Sequence, residues 1–257
     1  MLLTVSNLSK NFGGLMAISE VDFAVKKGQI AAIIGPNGSG KTTFFNVVSG
    51  IYKPLSGKII FNGEDITNLP VHERARRGIA RTFQTTTLFS NATVLDNVIV
   101  GYRLRTKTGL WDVLARTARF HQDEKKSRQK AWEVLEFTGL DKLAHQQVEN
   151  IPQEAKKRVA IAMALATDPQ LIMLDEPAAG INFDETAGII ELIRKMQKQG
   201  LTVCLIEHKM QMVMNLADYI MVLNQGIKIA EGTPEEVANN QVVIEAYLGS
   251  DDDAEND

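Results

Sequence analysis

Three short runs of the chain, at 30–34, 171–174 and 201–206, are apolar at nearly every position instead of every second one. Runs of that length without alternation predict strands buried on both faces, as in a parallel sheet covered by helices. Longer stretches of helical period separate them, which predicts βα units and an α/β fold with a mostly parallel sheet. Each predicted strand runs directly into polar residues. Ligands of open α/β sheets gather beyond the carboxyl ends of the strands, so Gly35, Asp175 and His208 are directed towards one sheet edge.

The stretch 90–166 has a different texture. Positions 106–130 are rich in Arg, Lys, Gln and Thr, and 131–140 resume an apolar helical pattern. This predicts a helical subdomain inserted into an α/β core formed by 1–89 and 167–250, one domain in all. Asp123 and Glu124 stand beside Lys125 and Lys126, so the charged stretch reads as a solvated helix face. The tail 251–257 carries five acidic groups and is expected to be disordered.

Composition removes several classes. With 44% hydrophobic and 23% charged residues in 257, and only seven prolines, the chain is an ordinary globular one and not a disordered one. Its 28 Lys+Arg against 31 Asp+Glu leave a net charge of -3, so no global field draws it to nucleic acid or anionic lipid. The single cysteine, Cys204, excludes an intramolecular disulfide and fits a reducing compartment. No secretory leader is visible at Met1, and no apolar run approaches the roughly 20 residues of a membrane span. The expectation is a cytoplasmic protein with at most a peripheral membrane role.

The strongest chemical signal is Gly35-Pro36-Asn37-Gly38-Ser39-Gly40-Lys41-Thr42. It matches the phosphate-loop spacing G-x-x-x-x-G-K-[ST] and lies between a predicted strand and the helix that continues through Thr43. Glycines there let backbone N–H groups turn inward around a phosphate, and the helix N-terminus adds its positive end. Lys41 is placed to reach the outer phosphates and Thr42 to coordinate Mg²⁺. The run ending in Asp175-Glu176-Pro177 supplies a carboxylate for the metal and a second, differently aimed one to polarise an attacking water. His208, after the third apolar run, is placed to contact the terminal phosphate. Gln84 carries no weight alone, and Phe12 reads equally as core packing.

Taken in order, the 35–42 loop, Gln84, Asp175-Glu176 and His208 resemble the nucleotide-binding subunit of an ATP-binding cassette (ABC) transporter over roughly residues 3–249. The resemblance implies ATP and Mg²⁺ as cofactors, Phe12 as the aromatic that stacks on adenine, and Gln84 as the residue that senses metal and membrane partner. Phe12-Gly-Gly14, Arg81-Thr-Phe-Gln84, Leu88-Phe89, the 176–182 stretch with Asn182, Ile206-Glu-His208, Asn224-Gln-Gly226 and the 245–249 stretch look like one branch, the ATPases of branched-chain amino acid importers. That branch implies integral-membrane permease subunits, a second ABC ATPase subunit, an indirect dependence on a substrate-binding protein, no nucleic acid, and a place on the inner face of the cell membrane. ATPases for urea and short-chain amides or for lipopolysaccharide export share many of these features, and a soluble ABC ATPase acting on DNA or ribosomes is the reading from another class.

One departure is large. The family's signature is a Gly-Gln-containing stretch at a helix N-terminus that binds the nucleotide held by the opposite subunit. Here the matching positions read Ile151-Pro152-Gln153-Glu154-Ala155, followed by Lys156-Lys157-Arg158, with Glu154 at the place of close approach. A side chain and a negative charge there disfavour a phosphate. Two readings stay open: Lys156 compensates, or the chain hydrolyses weakly and favours a heterodimer.

Overall fold

A computed structural model describes residues 1–82, 88–106 and 108–251. Gln84 and the acidic residues 252–257 therefore lie outside the described residues. Asp251, which the sequence places at the head of the acidic tail, closes the last helix.

Among the described residues ten strands form two sheets: β1 (Leu3–Phe12), β2 (Leu15–Val25), β3 (Ile30–Ile34), β4 (Ser56–Phe61), β5 (Glu64–Asp65), β6 (Ile79–Arg81), β7 (Leu171–Asp175), β8 (Thr202–Ile206), β9 (Tyr219–Asn224) and β10 (Ile227–Gly232). The larger sheet has the order β10-β9-β3-β8-β7-β6 and is parallel except for the edge strand β10. The smaller, β2-β1-β4-β5, is antiparallel. The described helices are α1 (Lys41–Val48), α2 (Val71–Arg76), α3 (Val94–Tyr102), α4 (Leu110–Leu114), α5 (Ala118–Thr138), α6 (Gln153–Leu165), α7 (Phe183–Lys198), α8 (Met210–Leu216), α9 (Pro234–Ala238) and α10 (Gln241–Asp251).

The three apolar runs are the central strands β3, β7 and β8, and the reason they lack alternation is visible in their packing. Ala31 and Ile33 of β3 face α1 and the antiparallel sheet, together with Phe44, Phe45 and Val5. Ile30, Ala32 and Ile34 face the opposite layer, where α7 and α8 contribute Ile189, Leu192 and Val213. Both pleat faces are dry, so both must be apolar.

The antiparallel sheet is absent from the sequence expectation. Its first strand buries Leu3, Val5 and Leu8, but the register slips between Val5 and Leu8 and again before Lys10, and Asn7 sits at φ 49°. A bulge of this kind breaks the two-residue period that would have marked the strand.

From Ala118 on, the charged stretch and the apolar stretch that follows it are one helix, α5, whose C-terminal half buries Ala131, Val134 and Leu135 against Val94, Val98 and Val159. Helix α6 joins the layers: Val159 and Ala162 face these helices while Ile161 and Ala164 face the parallel sheet. Among the described residues no helix is long and apolar enough to cross a membrane.

Candidate nucleotide site

The parallel register sets the site. Ile206 of β8 pairs with Ile33 on one side and Asp175 on the other, so the chains leaving β3, β7 and β8 emerge at one level. After β3 the backbone turns sharply. Gly35 has φ 148°, and a Cβ there would overlap the Leu223 carbonyl oxygen; Gly40, at φ 98°, leaves only 2.5 Å between its own Cβ position and the Ala17 oxygen. Side chains are excluded at both positions, which holds the loop tight against its neighbours.

Helix α1 opens at Lys41 with no side-chain cap and no acidic residue in its first turn. Its leading N–H groups, which have no intrahelical acceptors, are left for an anion. The Lys41 ammonium is buried and donates to the Gly35 oxygen at 2.8 Å and the Pro36 oxygen at 2.7 Å. Burial lowers its pKa, opposed by the charges of Glu176 and Asp175. Phe12, Gly38 to Thr43, Glu176, His208 and Gln225 line one cavity of about 710 Å³ over this loop.

Asp175 ends β7 in full burial, where its Oδ2 accepts from Arg81 Nη2 at 2.9 Å while its Oδ1 has no hydrogen-bond partner among the described residues. Glu176 follows in a left-handed conformation, φ 47°, which aims its side chain away from that of Asp175. The Glu176 amide donates to the Ile206 oxygen at 3.0 Å, tying the turn to β8. His208 Nε2 and Glu176 Oε1 are 2.6 Å apart. The two turns are stitched by a third carboxylate, the buried Glu207: Oε1 accepts from the Ala178 amide at 2.8 Å and Oε2 from the His208 amide at 3.1 Å.

A phosphate loop, the Glu176 carboxylate and a histidine around one cavity, with Asp175 buried at the strand end beside them, are matched by whole-chain similarity. The ABC transporter family model matches residues 18–179, more than half of the chain. The chain belongs to the ABC transporter family. It is an ATP-binding cassette with ATPase chemistry. A second model, described as branched-chain amino acid ATP-binding cassette transporter, matches residues 228–253 of the cassette. Among its relatives are the high-affinity branched-chain amino acid transport ATP-binding proteins LivG of Salmonella typhimurium, 42% identical over 96% of this chain and 98% of the relative, and BraF of Pseudomonas aeruginosa, 41% identical over the same shares. The crystal structure of the ADP conformation of the ATP-binding cassette MJ1267 superposes with a TM-score of 0.85 at 34% identity, covering 96% of this cassette and 98% of that one.

In the cassette the aromatic Phe12 is not core packing: it is 43% exposed at the cavity mouth, edge-on to Tyr52 with ring centroids 5.1 Å apart. The departed signature begins α6, with Pro152 as N-cap and Glu154 in the first turn. Glu154 pairs with Arg158 one turn on, and Arg158 also donates to the Thr138 oxygen at 3.1 Å. The Lys156 ammonium bonds the Glu149 oxygen at 3.1 Å. Sequence reasoning missed Arg81, Tyr52 and Glu207 as parts of this region. Glu207 had a usable signal, a carboxylate directly after the four apolar residues 203–206; Arg81 and Tyr52 had none beyond their neighbours in the chain.

Proposed function

We propose that this cassette hydrolyses ATP to drive import of branched-chain amino acids through integral-membrane permease subunits. The observation that carries it is the junction of the uncapped α1 N-terminus, Lys41 and the Glu176–His208 pair at one cavity, with Asp175 buried next to Glu176 in the chain, in a protein whose relatives are named for that transport.

The placement of these residues supports a role for each. Backbone amides of 35–40 and the start of α1, together with Lys41, Thr42 and Thr43, hold the phosphates. Phe12 offers its exposed face to the base. Glu176 takes the proton of the attacking water, and His208 donates to the γ-phosphate as charge builds. Glu176 and His208 are in direct contact, so hydrolysis requires them to part and admit the water. Gln84, outside the described residues, is assigned the sensing of metal and permease.

The donor set fits Mg²⁺. Among the described residues no group of three His, Cys, Asp or Glu gathers as a metal cage, whereas a buried, unpartnered Asp175 oxygen stands near the phosphate loop. Mg²⁺ is typically held by one or two protein groups plus substrate phosphates and water; Thr42, Asp175 and Gln84 would hold it. Its chemistry is to neutralise charge on the β- and γ-phosphates.

The α6 geometry favours pairing with a second, different ABC ATPase. Glu154 stands in the first turn of α6, where a partner's phosphate would need bare N–H groups, with its carboxylate held by Arg158 one turn on, and Lys156 is engaged with the Glu149 oxygen. A substrate-binding protein would deliver the solute, and the cassette would sit on the inner membrane face. The test is uptake in vesicles carrying the permease, the partner ATPase and this chain. ATP-dependent accumulation of leucine or valine supports the reading; uptake of urea or short-chain amides alone, or ATP-dependent outward transport of lipopolysaccharide, overturns the solute and direction.

A further inference from the structure

The carboxylate assigned to Mg²⁺ already has a cation of the chain's own. Arg81 ends β6, next to β7 in the sheet, and its side chain is 6% exposed against 3% for Asp175. Nη2 holds Asp175 Oδ2, while Nη1 donates to Asn46 Oδ1 at 2.8 Å and Ser49 Oγ at 2.9 Å. Asn46 lies in α1 and Ser49 caps it, and the ring centroid of Phe45 from the same helix lies 5.6 Å from the guanidinium carbon. The planar fork thus joins Asp175 to the far end of the helix that begins at Lys41, a geometry a lysine ammonium cannot reproduce.

A buried carboxylate left without a counter-charge is strongly unfavourable. We propose that Arg81 is a positioning residue for the metal step: it pairs with and aims Asp175 through Oδ2, leaves Oδ1 open, and competes electrostatically with Mg²⁺ for that carboxylate. Arg81 therefore sets how much Mg²⁺ the cassette needs to bind ATP. It also transmits occupancy of Asp175 to α1, because the same guanidinium that holds the carboxylate holds Asn46 and Ser49. This rests on the reading of Asp175 as a metal ligand.

The experiment titrates Mg²⁺ into the full chain at fixed ATP and reads nucleotide binding, with the midpoint in Mg²⁺ as the observable. Arg81→Gln keeps a polar group for Asn46 and Ser49 but removes the charge, so its midpoint should fall about tenfold. Asp175→Asn removes the ligand charge and should raise the midpoint, and the double variant should behave as Asp175→Asn. A purely structural loss at Arg81 would weaken ATP binding with EDTA as well as with Mg²⁺, and would not lower the midpoint.

If Asp175→Asn leaves the midpoint unchanged, Asp175 is no ligand and both readings fall. If Asp175→Asn raises it while Arg81→Gln leaves it unchanged or raises it, the role of Arg81 alone is overturned. Should Arg81→Gln not fold, Arg81→Lys decides. Its single ammonium cannot serve Asp175 and α1 together, so a midpoint below wild type supports the proposal and one at or above wild type refutes it.

Discussion

Lys41 donates to carbonyl oxygens of its own loop, and this shapes what its loss does. The side chain fills no apolar core, so Lys41→Ala should leave the thermal transition near that of wild type and abolish tight MgATP binding measured by calorimetry. Burial depresses the lysine pKa, so as pH rises the free cassette sheds this proton before an ordinary lysine, of pKa 10.5, would. Phosphate favours the charged form, so ATP binding in that alkaline window should take up a proton and weaken with pH. Calorimetry in two buffers of different ionisation enthalpy measures the uptake, which Lys41→Ala should remove. Glu176 makes a different prediction because its proposed role is at the attacking water and not at the phosphates. Glu176→Gln should bind ATP normally yet hydrolyse it about 10²–10⁴-fold more slowly in single-turnover assays of the assembled transporter; a wild-type rate would take the base role from Glu176.

At the scale of elements, the site depends on the turns after β7 and β8 keeping their relative position, and Glu207 is the clip between them. Both its oxygens accept from backbone amides in a buried setting. Glu207→Gln replaces one acceptor with a donor that must face an N–H group, at a cost of about 1–3 kcal/mol. The melting temperature should drop by several degrees, and ATPase turnover should fall more than ATP affinity, because the Glu176–His208 pair moves while the α1 loop does not. Equal melting temperatures for the two proteins would show that Glu207 is not a clip.

At the scale of the whole molecule, the altered start of α6 predicts asymmetry. In a head-to-tail pair, each nucleotide lies between one subunit's phosphate loop and the other's signature helix. Glu154 therefore impairs the partner's nucleotide and spares this subunit's own. The isolated chain should show very low ATPase activity, since a homodimer would carry two impaired interfaces. Mixing with the cognate ATPase should restore turnover; Lys41→Ala here should remove most of it, and the equivalent lysine change in the partner should matter less. Brisk cooperative hydrolysis by this chain alone would show that Pro152 to Ala155 can serve as a signature.

What the sequence determined by itself is chemistry fixed by local spacing: the 35–42 loop, the carboxylates at 175 and 176, the histidine at 208, and the buried parallel strands that bring them to one edge. These were legible because a phosphate loop needs consecutive residues and a strand buried on both faces is apolar throughout. Only the tertiary structure decided how partners distant in the chain meet. Arg81 reaches Asp175 across 94 positions and Glu207 reaches back to Ala178, contacts that arise from strand order in the sheet and leave no periodic trace. The antiparallel sheet was likewise hidden, because bulges in β1 shift its register and erase the alternation. Phe12 was undecided for the same reason: whether an aromatic is buried or lines a cavity depends on which layers close over it, and here Phe12 packs against Tyr52 and Lys10 and stays partly exposed.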